Sequence, residues 1–426
     1  MIDYFKGWLN VLLIFVPITL GLHFMHSSPA MVFVSACLAI IPLAGLMGHS
    51  TEDLSERAGS GVGGLLNATF GNAAEMIIAF VALQKGLEPI VKASLTGSII
   101  GNLLFVMGLS MLAGGMRYRT QKFDRTAAGM GVSMLVVAVI GLLVPATYHH
   151  VVGQHIPAGK IPSIETMSLF ISGLLLFNYV LGLFFSLKTH SHHYNPEHAG
   201  APAAAFRPQA GDYVTGYATR EEILEAGGCE AVHGPGYHGQ KPLWMPITVL
   251  LLATIGVVFV SESLVAAIEP VMHKLGWTTM FVGAVIIAIV GNAAEHSTAV
   301  LMALRNKMDL SMQICIGSSI QIALFVTPVL VFVSLLMGKP MNLEFTTFEI
   351  LAILAAVLVA WSTCSDGETN WFEGVQLLTL YAVLGVAFFF TADSHAPAEE
   401  LYSGPTYDES SFFMETHVPS PTPASH

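Results

Sequence analysis

The residues best suited to chemistry occur in two copies of one pentapeptide. GNAAE occupies residues 71–75 and recurs unchanged at residues 291–295, and each copy lies inside a long apolar run. Its asparagine and glutamate are three residues apart, so on a helix they lie on one face. A carboxylate at bilayer depth is costly and by default marks an ion or proton site. The repeat thus predicts two matching pairs inside a membrane: Asn72 with Glu75, and Asn292 with Glu295.

Two such pairs offer the chemistry of a hard-cation site. If the two helices cross, four oxygen-bearing side chains converge, and hard oxygen ligands suit Ca²⁺, Mg²⁺ or Mn²⁺ better than soft metals. Calcium takes about six to eight oxygens in flexible geometry, which backbone carbonyls and water can complete. Two buried carboxylates are tolerated around a divalent cation, and once it leaves they must bind protons or another cation. The pair can therefore carry Ca²⁺ or protons in turn, which is antiport in chemical form.

Other polar residues near the repeat are open to two interpretations. Small polar side chains commonly form hydrogen bonds between membrane helices, and the two asparagines could have only this role. The helices that follow the pentapeptides carry further candidates for direct or indirect contact with the ion: Ser98, Asn102, Ser318 and Gln321. Glu52 and Glu262 could be solvated acids at the interface, but each precedes the GNAAE helix of its half, which favours a paired role at the entrances. We interpret Glu344 and Glu349 as interfacial acids.

Composition independently places the chain in a membrane. Hydrophobic residues make up 54% and charged residues 11%, and the mean hydropathy is +0.66. A soluble chain would have more than twice that charged fraction. The net charge of −12 argues against nucleic acid as a partner. The four cysteines lack CxxC spacing, so neither a zinc site nor a disulfide framework is expected. We expect no cofactor beyond the transported ions, and as partners these ions, the lipid bilayer and possible further copies of the chain.

Apolar runs long enough to cross a bilayer set the fold class. About 20 mostly apolar residues are required, and helices satisfy the backbone in lipid. Eleven runs qualify: 8–25, 30–56, 62–84, 90–115, 126–147, 164–187, 243–268, 277–304, 310–337, 345–364 and 371–391. With the N-terminus inside, twelve of the 17 Lys and Arg residues fall on inner segments, with the densest cluster at 117–125. The positive-inside rule therefore predicts a cytoplasmic N-terminus and an outer C-terminus.

The pentapeptides belong to a longer internal repeat. At an offset of 220, Gly97-Ser98 falls on Gly317-Ser318 and 104–106 falls on 324–326 without a gap. Five helices separate the two GNAAE helices, and an odd number places the copies in opposite membrane orientations. This inverted arrangement puts a substrate site near the midplane. The prediction is an all-α polytopic membrane protein of about eleven transmembrane helices, one plus two inverted five-helix repeats.

These elements divide the chain into five parts. We expect an extra first helix that is retained rather than cleaved (1–28), a first repeat (29–187), a cytoplasmic linker (188–242), a second repeat (243–391) and a disordered acidic tail (392–426). The linker is rich in His and Pro, and TREEILEAGG within it predicts a short acidic helix after Thr219. The linker's histidine cluster is better explained by a solvated segment than by a metal site.

The same residues resemble the calcium/proton antiporter (cation exchanger) family of the calcium:cation antiporter superfamily. The resemblance covers most of 30–391 and rests on GLLNATFGNAAEMIIAF (64–80), GSIIGNLLFVMG (97–108), GNAAEHSTAV (291–300) and GSSIQIALFVTP (317–328). It implies calcium held by Glu75 and Glu295 with help from both asparagines, and helices like 30–56 and 243–268 moving as gates. It also implies access paths at Glu52 and Glu262, and a role for His296 in proton coupling or selectivity.

The first hypothesis is export of Ca²⁺ from the cytoplasm in exchange for protons, in a bacterial inner membrane. A sodium-coupled exchanger is the nearest alternative, but the divergence of Asn102 from Ile322 gives no symmetric sodium shell. A cation channel predicts a pore built from several chains, against which the internal repeat argues. An enzyme is not expected, since neither HExxH nor GxSxG occurs. Selectivity among Ca²⁺, Mn²⁺ and Na⁺, and whether the chain forms a homo-oligomer, stay open.

Overall fold

A computed structural model describes residues 8–152, 164–189, 214–215, 218–219 and 242–391. The predicted histidine cluster, the short acidic helix and the C-terminal tail lie outside these residues. Thr219, expected to precede that helix, lies in a two-residue strand, Ala218–Thr219, which pairs with Val214–Thr215. Most of the linker and the tail lie outside the described residues, so the domain boundaries stay predictions.

Helices account for most of the described chain. After a 3₁₀ segment (Trp8–Ile14) they are α1 (Phe15–Phe24), α2 (Pro29–Phe70), α3 (Ala73–Gln84), α4 (Glu88–Arg117), α5 (Arg125–Val152), α6 (Ile164–Thr189), α7 (Trp244–Leu275), α8 (Thr279–Gly291), α9 (Ala293–Leu304), α10 (Met308–Leu336), α11 (Thr347–Thr363) and α12 (Trp371–Phe390). The strands are β1 (Gln121–Lys122), β2 (Val214–Thr215), β3 (Ala218–Thr219) and β4 (Glu368–Thr369).

The helices confirm a mostly helical membrane protein. Seven of the described helices are long and apolar enough to span a bilayer, and α8 with α9 makes an eighth if the bent pair is one span. Three of the predicted runs correspond to shorter apolar helices, Asn10–Phe24, Ala73–Gln84 and Thr347–Thr363. All eleven predicted runs thus overlap a helix, while the count of eleven crossings stays a prediction.

Helix α2 bends back on itself. Its 42 residues would measure about 63 Å if straight, roughly twice the hydrocarbon core. A Cβ atom built at Gly63 would lie 2.3 Å from the Ser55 carbonyl oxygen, whereas residues eight apart in a straight helix are about 12 Å apart. The chain must therefore turn between Ser55 and Gly63. This gives α2 two arms: the first corresponds to the predicted run 30–56, and the second, which ends at Phe70, to the beginning of run 62–84.

The sequence repeat recurs as a repeat of helix irregularities. The helix breaks at Gly71-Asn72 between α2 and α3, and at Asn292 between α8 and α9, where the two axes differ by 63°. Helices α4 and α10 each contain a π-helical segment at matching positions, Gly101–Val106 and Ile322–Val326. Such π segments occur often at functional sites. The offset of 220 found in the sequence therefore relates these two breaks and these two π segments, whereas the π segment Val282–Ile287 of α8 matches α-helical residues of α2.

Close helix packing holds these segments together. Helix α4 crosses α8 at a glycine: a Cβ at Gly97 would lie 2.1 Å from the Ala284 carbonyl oxygen. The reciprocal contact sets Gly283 of α8 against Ala93 of α4. Small residues allow this close approach between membrane helices. In lipid the hydrophobic effect does not drive helices together, so close packing stabilises their association. The crossing brings the α8–α9 break beside the polar residues of α4.

Candidate functional site

Each half presents its asparagine where the backbone leaves helical geometry. Asn72 has φ −102° and ψ 21°, and Asn292 has φ −96° and ψ 6°. These values lie in the sparsely populated bridge region, where active-site residues are common. Both asparagines are fully buried. The glutamates follow in the first turns of α3 and α9, where the helix dipole favours negative charge.

The two asparagine amides bond across the repeats. Asn72 Nδ2 donates to Gln321 Oε1 of α10. Asn292 Nδ2 donates to Ser98 Oγ of α4 at 3.0 Å and to the Ala288 carbonyl oxygen at 3.0 Å. The NH₂ groups of both asparagines are therefore engaged, while their carbonyl oxygens are buried without a donor among the described residues.

The glutamates meet between the two halves. The Glu75 carboxylate packs against the second helix break: a Cβ at Gly291 would lie 3.5 Å from Glu75 Oε1. Glu295 is near enough for the two charges to interact. The Ser318 hydroxyl hydrogen-bonds to the Glu295 carboxylate. The structure therefore brings together the residues that the sequence separates by 220 positions.

Three buried oxygens at this place lack a hydrogen-bond donor among the described residues. They are Asn72 Oδ1, Asn292 Oδ1 and Glu295 Oε2. A buried acceptor left without a partner costs free energy. A bound cation would give these oxygens the positively charged partner that they lack. The described residues contain no group of three or more His, Cys, Asp and Glu side chains that could hold a metal. The side chains that meet here are two carboxylates and two amides, a set of oxygen ligands suited to a hard ion.

A hydrogen-bonded chain extends from one glutamate only. Asn102 Nδ2 donates to Ser318 Oγ at 3.0 Å, and Asn102 Oδ1 lies 3.2 Å from His296 Nε2. His296 is buried and meets the Phe105 ring edge to face, with centroids 6.1 Å apart. The four predicted polar residues of α4 and α10 therefore all reach the site. Two of them, Asn102 and Ser318, link His296 to Glu295.

The two predicted entrance acids lie in different surroundings. Glu52 in the first arm of α2 is 6% exposed, and one of its oxygens lies 3.5 Å from His49 Nδ1. Glu262 is exposed on α7, on the stripe that includes Phe259 and Ala266. Their paired role stays a prediction, and the structure does not make them equivalent.

Sequence reasoning missed two features near the site. The first is at Gly291, where the group that approaches the glycine is the Glu75 side chain. Glu349, expected at the interface, is 2% exposed because its carboxylate closes a capping box with Thr346 and accepts from Thr96 Oγ1 at 3.4 Å. The TxxE spacing at 346–349 is a sequence signal for that cap.

Comparison with known proteins agrees with the geometry. The chain matches the sodium/calcium exchanger protein family over residues 28–188 and 245–390. A Ca(2+)/H(+) antiporter of Aphanothece halophytica is 42% identical over 386 residues, covering 89% of this chain and 95% of that protein. A Ca(2+)/H(+) antiporter of Synechocystis sp. is 42% identical over 382 residues, covering 89% and 96%.

A solved structure shares the fold along most of the chain. The structure of native YfkE aligns with a TM-score of 0.71 at 36% identity, covering 90% of this chain and 99% of that one. The agreement spans both halves and includes both GNAAE segments within the matched family regions. The chain therefore belongs to the sodium/calcium exchanger protein family and, within it, to the calcium/proton antiporters.

Proposed function

We propose that this protein exports Ca²⁺ from the cytoplasm in exchange for protons, by alternating access at a site shared by Glu75 and Glu295. The carrying observation is the set of buried, unpartnered oxygens on Asn72, Asn292 and Glu295 beside the paired carboxylates. An ion-free site of this kind holds two negative charges in a low-dielectric region, so it must take up cations. Protons and Ca²⁺ therefore compete for the same carboxylates.

The exchange cycle follows from that competition. With Ca²⁺ bound, Glu75 and Glu295 are ionised and the asparagine oxygens complete part of the shell. Release of Ca²⁺ on the outer side leaves two uncompensated carboxylates. These carboxylates bind protons before the site reopens to the cytoplasm. Empty, ionised carboxylates would be too costly to carry across. This restriction couples the return of the site to proton uptake.

Two helices are placed to control access. The first arm of α2 packs along α7, where Leu43 contacts the position of Gly256. The same arm reaches the beginning of the second site helix, since a Cβ at Gly45 would lie 3.9 Å from Ala294 Cβ. Movement of α2 and α7 together would open the glutamates to one side at a time. We propose a bacterial inner membrane as the location, with the N-terminus in the cytoplasm.

Sodium-coupled calcium exchange is the second candidate. It needs side-chain oxygens for Na⁺ in both halves. The first half offers Asn102, but the matching position in the second half is Ile322, and Met76 matches His296. This asymmetry favours protons as the counter-ion.

Inside-out membrane vesicles test the proposal. With the lumen acidified, we expect uptake of radioactive calcium that collapses on adding a protonophore. Glu75→Gln and Glu295→Gln should each abolish uptake, because one carboxylate cannot balance a divalent cation. Glu165→Gln, an exposed acid at the start of α6, is the matched control and should transport normally. Uptake that ignores the pH gradient but follows a sodium gradient would overturn the proton mechanism.

A further inference from the structure

A crevice that the transport mechanism does not use lies between α5, α6 and α10. The space between its walls amounts to about 590 Å³ when the solvent at its open mouth is included. Its walls are apolar over most of their length, and they are formed by Gly131, Met134, Gly182, Leu183, Ile316 and Ile320. Its polar lining is concentrated toward Asp124 and Asp309, which lie at the start of α5 and α10. The crevice is thus amphipathic along its length.

Its dimensions match one leaflet of a bilayer. Asp309 and Ile320 both line the crevice and are eleven residues apart on α10. At 1.5 Å per residue they are separated by about 16 Å along the helix. That is roughly half of the hydrocarbon core. An acyl chain that enters from the interface would therefore reach about the middle of the membrane.

The polar end is formed by two carboxylates, which accept hydrogen bonds, together with the Ser186 hydroxyl and the Gln313 amide. Asp124 Oδ1 caps α5 by accepting from the N–H groups of Thr126 at 2.7 Å and Ala127 at 2.9 Å. Asp309 accepts from the N–H group of Asp124. Across the described ranges, no ion pair joins either carboxylate to a lysine or arginine. Gln313, on the wall next to them, is 8% exposed, and its Oε1 has no donor within the described chain.

We propose that this crevice binds a phospholipid with a free ammonium headgroup, of the phosphatidylethanolamine type. Its ammonium would donate to Asp124, Asp309 and Gln313, and one acyl chain would fill the apolar part. Arg125, exposed beside the mouth, provides the positive charge that a lipid phosphate requires. A calcium path is a poorer match, because the walls beyond the mouth carry methyl and methylene groups that cannot replace water around a cation.

The bound lipid would act on the position of α10. Gly317 lines the crevice, and the next residue, Ser318, hydrogen-bonds to Glu295 on the other side of the helix. A lipid wedged against one face of α10 therefore supports the residues that the opposite face presents to the ion. This links lipid occupancy to the transport site without a lipid contact at the site.

Native mass spectrometry of the full chain in detergent tests the proposal. We expect lyso-phosphatidylethanolamine to be retained about tenfold more tightly than lyso-phosphatidylcholine or lyso-phosphatidylglycerol, the effect of one charge-assisted contact. Asp309→Asn keeps an acceptor for the Asp124 N–H group but removes the charge, and should abolish the preference. Ser186→Trp should fill the mouth and abolish retention of all three lipids. Glu165→Gln, at the other end of α6, should leave retention unchanged.

Two results would overturn the proposal. The first is equal retention of the three lipids by the unmodified chain, or retention that ignores both Asp309→Asn and Ser186→Trp. The second is a change in the calcium dependence of transport on Asp309→Asn with lipid retention unaltered, which would make the crevice a cation path. Loss of calcium/proton exchange in the vesicle assay with lipid preference intact would instead contradict only the proposed function.

Discussion

The two glutamates of the site have different neighbours. Glu295 is joined through Ser318 and Asn102 to His296, whereas Glu75 lies against the backbone at Gly291. The positions that match Asn102 and His296 in the other half are apolar, so no equivalent chain can form there. Two carboxylates related by a repeat therefore hold their charges in unequal surroundings. The polar chain ties Glu295 to His296, while Glu75 packs against the second helix break.

Asn102 is the residue on which this difference depends. Asn102→Leu should leave the chain folded but remove the hydrogen bonds to Ser318 and His296. Leaving a buried polar group without its partner costs about 1–3 kcal/mol. We expect the KM for calcium to rise about tenfold with a smaller change in maximal rate, measured as initial uptake in vesicles. Ile322→Val, the matched position in the other half, should transport normally. An unchanged KM in Asn102→Leu would show that the chain does not orient Glu295.

At the scale of elements, the α4–α8 crossing determines how near the halves approach. Gly97 faces the backbone of Ala284, so no side chain fits between the helices. Ser98 follows directly and bonds to Asn292, the residue at which α8 ends. The close crossing therefore brings the polar groups of one half within hydrogen-bond distance of the helix break in the other.

Gly97→Ala tests the crossing. The added Cβ would overlap the Ala284 carbonyl oxygen, so the two backbones must separate at a cost of about 1–3 kcal/mol. We expect a lower Tm in detergent together with weaker calcium uptake. Gly101→Ala is the control, because a Cβ there meets nothing within 4 Å, and it should unfold at nearly the same temperature as the unmodified chain. Equal Tm values for both variants would contradict the close packing.

At the scale of the whole molecule, the short sheet β1–β4 joins two parts of the chain that are far apart in sequence. Gln121 pairs with Thr369 and Lys122 with Glu368, where a 3.0 Å ion pair forms. The loop after α4 and the loop before α12 therefore lie at the same end of the bundle. The first of them belongs to the basic cluster 117–125, which the positive-inside rule places in the cytoplasm.

Labelling from each side of the membrane tests that orientation. Cysteine substitutions at Thr120 and Lys85, both exposed, are made in a background with Cys37→Ser and Cys229→Ser, because Cys37 is only partly buried. Cys315 and Cys364 are buried and should not react. A membrane-impermeant maleimide should label Thr120→Cys only in inside-out vesicles and Lys85→Cys only in right-side-out vesicles. Labelling of both from one side would rule out the proposed topology.

The glutamates, their asparagines and the class of fold could be predicted from the sequence. The reasons are physical: a repeated carboxylate in an apolar run requires a compensating ion, and an apolar length requires a bilayer. A helix cap can also be predicted, because it depends on residues that are close in sequence. The TxxE spacing at 346–349 is an example.

The tertiary structure alone decided which groups meet. Asn72 bonds to Gln321 across 249 positions, Glu52 is buried where Glu262 is exposed, and the Glu75 side chain approaches Gly291. In a membrane, the faces of a helix that meet lipid and those that meet protein are both apolar, so hydrophobic periodicity does not reveal how a helix is rotated. The sequence by itself determined the class of fold and the family, and it named the residues on which the proposed site rests. Its geometry depended on close contacts such as that of Gly97, which set the rotation and spacing of helices from distant parts of the chain.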